Sequence, residues 1–108
     1  MEKPTHTETE LALVIRLCGE IVMDVTPDLK ADIAQLLDSS RKPEVVCDMG
    51  QVTFMDSSGV GLLIGIRRQC QEEGRSFRVA DPSPPIRKLF AMLRLTDFFA
   101  VSPAAGPA

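Results

Sequence analysis

The chain has 108 residues, 44% of them hydrophobic and 25% charged, which is the size and composition of one soluble globular domain. Its net charge of -3 provides no basic surface for a phosphate backbone, so we expect no direct binding to nucleic acid. The only histidine is His6, in a polar N-terminal stretch, so the sequence offers almost no candidate for the imidazole base of a hydrolase triad. No apolar run approaches the roughly 20 residues that span a bilayer, so membrane insertion is not expected either.

The three cysteines predict reduced thiols. Cys18, Cys47 and Cys70 are odd in number and contain no C-x-x-C pair, which argues against a disulfide framework and a zinc site. The first ten residues are polar and lack the apolar core of a signal peptide. We therefore expect a cytoplasmic protein without a metal or other cofactor. Small residues and prolines at 102–108 predict a flexible tail after a domain at 1–101.

Hydrophobic patterning in the first half predicts a hairpin followed by a helix. Apolar residues alternate from position 13 to 17 and end at Gly19, which predicts a strand with a shorter partner before it. Thr26, with Pro27 behind it, is the expected N-cap of the first helix. An apolar stripe then continues to Leu37, and the helix is expected to end before Pro43.

The second half predicts two further strand–helix units. Residues 45–47 form a short apolar run typical of a central strand, and a loop at 52–55 is expected to lead into a helix that ends at Gly74. A strand at 77–80 and a helix from Ser83 follow, with a last strand at 98–101. The predicted order is β-β-α-β-α-β-α-β, an α/β domain whose mixed, mostly parallel sheet is covered by helices. Function is expected where the strands end, near positions 19, 50 and 81.

The start of the second helix is the most informative segment. Either Asp56 or Ser57 is expected to cap it, with free backbone N–H groups in the first turn that favour an anion. Glycines within a helix cost about 1 kcal/mol each relative to alanine, so Gly59, Gly61 and Gly65 need a packing reason. Ser58 shares one face with the last two, and we expect this face to permit close backbone approach.

Residues 54–61, with the sequence FMDSSGVG, resemble the STAS domain family, in particular the bacterial anti-sigma factor antagonists. The resemblance extends from the strand that ends at Cys18-Gly19-Glu20 to Phe98. It implies that Ser57 is phosphorylated by a partner that is both anti-sigma factor and serine kinase, in surroundings formed by Asp56, Ser58 and Gly59. It also implies that the unphosphorylated form binds this kinase and frees a sigma factor, and that a serine phosphatase resets the phosphorylated form.

We expect the partner to bind residues near this serine. The candidates are Glu20, Met23, Asp24, Met55 and Val60, with Val25 and Val52 as further members of a semi-exposed apolar surface. The chain departs from the family pattern at two places. Residues 21–22 are Ile-Val where the family often has Leu-Asp, and Arg94 stands where many relatives have Gly.

Other interpretations of these residues are less favoured. Asp48 follows a central strand as in a receiver domain, but the acidic pair and the late lysine of such a domain are missing. Ser57 has no His or Lys nearby to activate it as a catalytic nucleophile, so we expect no enzyme. A STAS domain that serves as scaffold or regulatory subunit of a signalling assembly, or of a membrane lipid or solute transport complex, remains the alternative. The oligomeric state is open.

Overall fold

A computed structural model describes residues 3–103, which form a four-stranded sheet in the order β1-β2-β3-β4. β1 runs antiparallel to β2, whereas β2, β3 and β4 are mutually parallel, so the predicted mixed, mostly parallel sheet is confirmed. The strands are β1 Thr5–Glu8, β2 Ala12–Ile21, β3 Glu44–Met55 and β4 Ser76–Ala80, and the helices are α1 Thr26–Ser39, α2 Ser57–Glu72 and α3 Pro84–Met92.

The main core joins the three helices to the sheet. Alternate residues enter it in the first part of β2 and β3, from Leu13 to Leu17 and from Val45 to Met49, because successive side chains of a strand point to opposite faces. Register shifts in the β2–β3 pairing interrupt this alternation further along both strands. The helices contribute the apolar stripes predicted from the sequence, including Leu29, Ile33 and Leu37 from α1 and Ile86 and Phe90 from α3. Within residues 3–103, no helix is long and apolar enough to cross a membrane.

The prediction that Thr26 caps α1 is wrong. Thr26 is the first helical residue and Val25 occupies the N-cap position, without a side-chain hydrogen bond to the helix. The chain turns earlier than expected because the backbone N–H groups of Val25 and Thr26 both donate to the Val22 carbonyl. Pro27 does lie in the first turn, as predicted.

β3 is much longer than the three residues predicted. It continues to Met55 because the end of β2 runs beside it, with Gly19 opposite Val52 and Ile21 opposite Met55. The segment expected to be a loop is therefore strand, and position 50 lies inside β3 rather than at its end. The chain leaves β2 and β3 at Ile21 and Met55, which places the end of β2 next to the start of α2.

The predicted strand at 98–101 is replaced by a turn. Residues 96–100 form this turn, and the Phe99 side chain is fully buried with its ring edge-on to Phe90, 5.2 Å between centroids. The chain then bonds to the edge of β4 through a single bridge between Ser102 and Ala80. Ser102 was expected to belong to the flexible tail but is held by backbone hydrogen bonds to β4; residues 104–108 of that tail lie outside the described residues.

Candidate functional site

Asp56 joins β3 to α2 and caps the helix. Its backbone is extended, with φ -99° and ψ -173°, and its side chain lies over the first turn. Oδ1 accepts hydrogen bonds from the backbone N–H of Ser58 at 2.9 Å and of Gly59 at 3.3 Å. The sequence allowed either Asp56 or Ser57 as the N-cap, and the structure assigns that position to Asp56.

The same carboxylate also holds the loop that follows β2. Oδ2 accepts from the backbone N–H of Met23 at 3.1 Å, and the Asp56 N–H donates to the Ile21 carbonyl at 3.2 Å. The hydroxyl of Ser58 donates to Oδ1 at 2.5 Å. These bonds, that from Ser58 foremost, hold the pKa of Asp56 below its ordinary value of 3.8, so the carboxylate is ionised at neutral pH.

Ser57 and Ser58 differ in their surroundings although they are adjacent. Ser57 is the first residue of α2 and is exposed, and its hydroxyl has no hydrogen-bond partner among residues 3–103. Ser58 is half-buried and its hydroxyl is bound to Asp56. The expectation that several first-turn N–H groups are free is wrong for Ser58 and Gly59, because Asp56 accepts from both.

Gly59 is required by close packing between α2 and the end of β2. A Cβ atom at this position would lie 2.5 Å from Cγ of Met55 and 2.9 Å from the carbonyl oxygen of Ile21. Gly61 and Gly65 differ, because a Cβ added at either would meet no atom within 4 Å among the described residues. The expected internal packing reason is thus correct for Gly59 and wrong for the other two, which line an open groove between α1 and α2.

The structure places only part of the expected partner surface in contact with solvent. Glu20, Met23 and Asp24 are exposed around the end of β2, and Val60 is half-buried. The expectation for Met55 is wrong, since its side chain is 5% exposed and packs against the first turn of α2. Val52 is likewise fully buried in β3.

Phe54 is an exposed aromatic residue that the sequence reasoning missed. It lies opposite Glu20 in the β2–β3 pairing, and 52% of its surface is exposed. The sequence predicts a loop at this position because the apolar run of the central strand ends at Cys47. Strand alternation places Phe54 and Met55 on opposite faces, but the register shifts in the β2–β3 pairing decide which of the two is buried. We call Glu20, Met23, Phe54 and Ser57 the Ser57 surface.

The remaining candidates for chemistry have structural roles. Cys47 and Cys70 are buried, which raises their pKa values to about 12 and about 11 and keeps the thiols protonated. Asp48 accepts from the Gly50 N–H at 3.0 Å and forms an ion pair with Arg16 at 3.6 Å. The part of the chain that the structure describes contains no group of three or more acidic, His or Cys residues that could hold a metal ion.

Comparisons with known proteins agree with this architecture. The family model described as STAS domain matches residues 3–107. The Anti-sigma F factor antagonist of Lysinibacillus sphaericus is 32% identical over 76% of this chain and 70% of its own length. A STAS-domain containing protein of Pseudomonas aeruginosa is also 32% identical, over 83% of this chain and 87% of its own length.

Solved structures with a similar fold include the anti-sigma factor antagonist SpoIIAA in two forms. The unphosphorylated form has a TM-score of 0.77 and 27% identity, over 94% of this chain and 88% of that one. The phosphorylated form has a TM-score of 0.70 and the same identity, over 94% of this chain and 91% of that one. Since the family match spans nearly the whole sequence and the fold agrees with these structures, the chain belongs to the STAS domain family.

Proposed function

We propose that this protein is a cytoplasmic anti-sigma factor antagonist controlled by phosphorylation of Ser57. In its unphosphorylated form it binds an anti-sigma factor that is also a serine kinase, and a sigma factor is released to direct transcription. Phosphorylation ends the binding, and a serine phosphatase restores it. Relatives named as antagonists of anti-sigma factors, and a structural neighbour with a phosphorylated form, support this role.

The observation that carries the proposal is the exposed hydroxyl of Ser57 at the start of α2, which has no hydrogen-bond partner among the described residues. In the transfer, Ser57 Oγ attacks the γ-phosphorus of ATP bound to the kinase. The Oγ–P bond forms, the bond from that phosphorus to the bridging oxygen breaks, and ADP leaves. The hydroxyl proton passes to a base of the kinase, because the β3–α2 junction has no His or Lys to accept it. Ser57 is thus a substrate group and not a catalytic nucleophile.

The phosphate acts on the partner rather than on the fold. It adds about -1.5 to -2 charges and three acceptor oxygens. Asp56 already takes the N–H groups of Ser58 and Gly59, so the Ser57 N–H is the one first-turn donor left among the described residues. The phosphate therefore projects outward from an exposed residue beside an ionised carboxylate. We expect repulsion and bulk at the docked partner, whereas the helix dipole offsets the charge within this domain.

The docking residues surround this serine. We propose that Glu20, Met23, Asp24 and Val60 contact the partner, and we add Phe54 because it is the exposed aromatic residue at this end of the sheet. Large aromatic side chains often dominate the affinity of an interface when a partner covers them. Met55 is omitted because it is buried.

The test is co-expression with a serine-kinase anti-sigma factor of the same organism, followed by intact-mass spectrometry and site mapping. The variants are wild type, Ser57→Ala and Ser58→Ala. We expect one phosphate on wild type and on Ser58→Ala and none on Ser57→Ala. Phosphate retained by Ser57→Ala would contradict the proposal, as would stable co-purification of an unphosphorylated chain with a transporter ATPase.

A further inference from the structure

Two adjacent hydroxyls at the β3–α2 junction differ in their hydrogen bonding. The Ser57 hydroxyl points to solvent without a partner among residues 3–103, whereas the Ser58 hydroxyl donates to Asp56 Oδ1 at 2.5 Å. Both residues lie in the first turn of α2, so both are close to a partner that docks there. The exposure of the two residues differs as well, since Ser57 is exposed and Ser58 is half-buried.

We propose that Asp56 is a positioning residue that directs phosphorylation to Ser57 by holding the hydroxyl of Ser58. The inference rests on the proposed function, in which this junction is the substrate of a serine kinase, and adds the source of its selectivity. Asp56 touches neither ATP nor the reacting phosphorus. It acts through Ser58, whose Oγ must leave the carboxylate before it can approach a γ-phosphate.

A carboxylate beside a hydroxyl could instead activate it as a base, but the surroundings of Asp56 oppose this. Its two oxygens accept from Ser58 Oγ, from the N–H groups of Ser58 and Gly59, and from the N–H of Met23. A carboxylate with this many donors is a weak base. The bond from Ser58 is charge-assisted and short, so it fixes the hydroxyl over the helix end and does not remove its proton.

Transfer to Ser58 would therefore need an extra step. The hydroxyl has to rotate away from Oδ1, its proton has to be given to the kinase base, and Oγ then forms the bond to the γ-phosphorus as ADP leaves. Ser57 needs no such rotation because its hydroxyl has no acceptor to leave within the described residues. We expect this difference to favour Ser57 over Ser58 by at least tenfold in the wild-type protein.

The experiment removes Asp56 and measures where the phosphate goes. Asp56→Ala and Asp56→Asn are each co-expressed with the kinase, with both serines present and again with Ser57→Ala, and phosphate is mapped by fragment mass spectrometry. We expect Asp56→Ala to raise the fraction of phosphate on Ser58 at least tenfold. Asp56→Asn should give a smaller rise, because its amide oxygen still accepts from Ser58 without a full charge.

The ratio of the two sites separates selection from a structural effect. Loss of the cap lowers phosphorylation of both serines together, whereas loss of selection changes their ratio. Asp38→Ala is the matched control: it removes an exposed carboxylate from the end of α1, outside the proposed docking residues, and should leave the ratio unchanged. Circular dichroism checks that each variant is folded. If Asp56→Ala does not fold, the site ratio is measured in Asp56→Asn, which keeps an oxygen at the cap.

A second readout needs no kinase. The proton NMR spectrum of the wild-type protein should show a slowly exchanging hydroxyl proton on Ser58, none on Ser57, and loss of the Ser58 signal in Asp56→Ala. An unchanged site ratio in a folded Asp56 variant, or as much phosphate on Ser58 as on Ser57 in the wild type, would overturn the selection while leaving the kinase substrate role in place. Wild-type protein without phosphate on either serine would refute the proposed function and the selection with it.

Discussion

Asp56 connects two segments of the chain through one carboxylate, with the start of α2 on Oδ1 and the loop after β2 on Oδ2. The sequence predicted a capped helix at this point because capping is local and depends on residue type. It could not predict the bond to Met23, which lies 33 residues away. That bond exists because β2 and β3 end side by side, which is a property of the sheet.

The lowered pKa of Asp56 makes its contribution to stability dependent on pH. The ionised form is favoured in the folded state, so this contribution is fully present above the ordinary pKa of 3.8 and is lost as pH falls through the lower folded value. We expect wild type to exceed Asp56→Asn in stability at neutral pH and the difference to shrink below pH 3.8. Urea unfolding of both proteins between neutral pH and a pH below 3.8 measures this difference in stability. A difference that stays constant with pH would contradict the lowered pKa of Asp56.

Phe54 tests the Ser57 surface at the level of a single side chain. Because it is half exposed, Phe54→Ala should leave the free energy of unfolding within about 0.5 kcal/mol of wild type. An aromatic anchor that the kinase covers contributes about 2 kcal/mol or more to the free energy of binding. We therefore expect Phe54→Ala to bind the kinase at least tenfold more weakly by calorimetry. Met92→Ala is the control, since Met92 is 71% exposed and lies at the end of α3. Equal losses for the two variants would remove Phe54 from the docking surface.

Among the elements, α2 shows where sequence patterns stop being informative. Its start, its apolar side and its end at Gly74 follow from local signals and are confirmed. Gly59, Gly61 and Gly65 are indistinguishable in sequence, yet a Cβ would clash only at Gly59 among the described residues. The extension of β3 was also missed, because pairing with β2, rather than the intrinsic preference of residues 52–55, keeps them in a strand.

Replacing Gly59 or Gly61 of α2 by alanine should change the free energy of unfolding in opposite directions. Gly59→Ala forces the helix away from the Ile21 carbonyl and should lower the free energy of unfolding by about 1–3 kcal/mol. Gly61→Ala meets open space and should raise it by up to about 1 kcal/mol, because alanine is the better helix former. Chemical denaturation of the two variants decides this. A destabilised Gly61→Ala would show that the groove is tighter than the structure describes.

The end of α3 explains one departure from the family pattern. Arg94 has φ 57° and its N–H donates to the Ala91 carbonyl, while the Leu95 N–H donates to that of Phe90. This is the left-handed helix ending that Gly74 provides for α2, with φ 71°. A side chain is strained there, so glycine is the residue that this backbone conformation favours.

Relief of that strain is measurable. Arg94→Gly should raise the free energy of unfolding by about 0.5–1 kcal/mol, the strain removed less the entropy that glycine loses on folding. The reciprocal control, Gly74→Ala, should lower it by about 1 kcal/mol, because it places a side chain in the same backbone conformation. Thermal unfolding of both variants tests the pair, and a destabilised Arg94→Gly would assign the arginine a favourable contact.

At the scale of the whole molecule, the net charge of -3 is small enough for one phosphate to change it substantially. One phosphate on Ser57 would change it to about -5 and concentrate the change at one end of the sheet. The fold is expected to tolerate this, since Ser57 is exposed and lies outside the main core. One modification is then expected to change a binding surface while the fold stays the same.

The central claim is tested most directly by comparing the phosphorylated and unphosphorylated wild-type protein in calorimetric binding to the anti-sigma factor kinase, with the melting temperature of each form measured alongside. We predict that phosphorylation of Ser57 weakens binding by at least tenfold and that both forms keep a cooperative melting transition within a few degrees of each other. Equal affinities of the two forms, or a phosphorylated form that has lost its cooperative transition, would contradict the account.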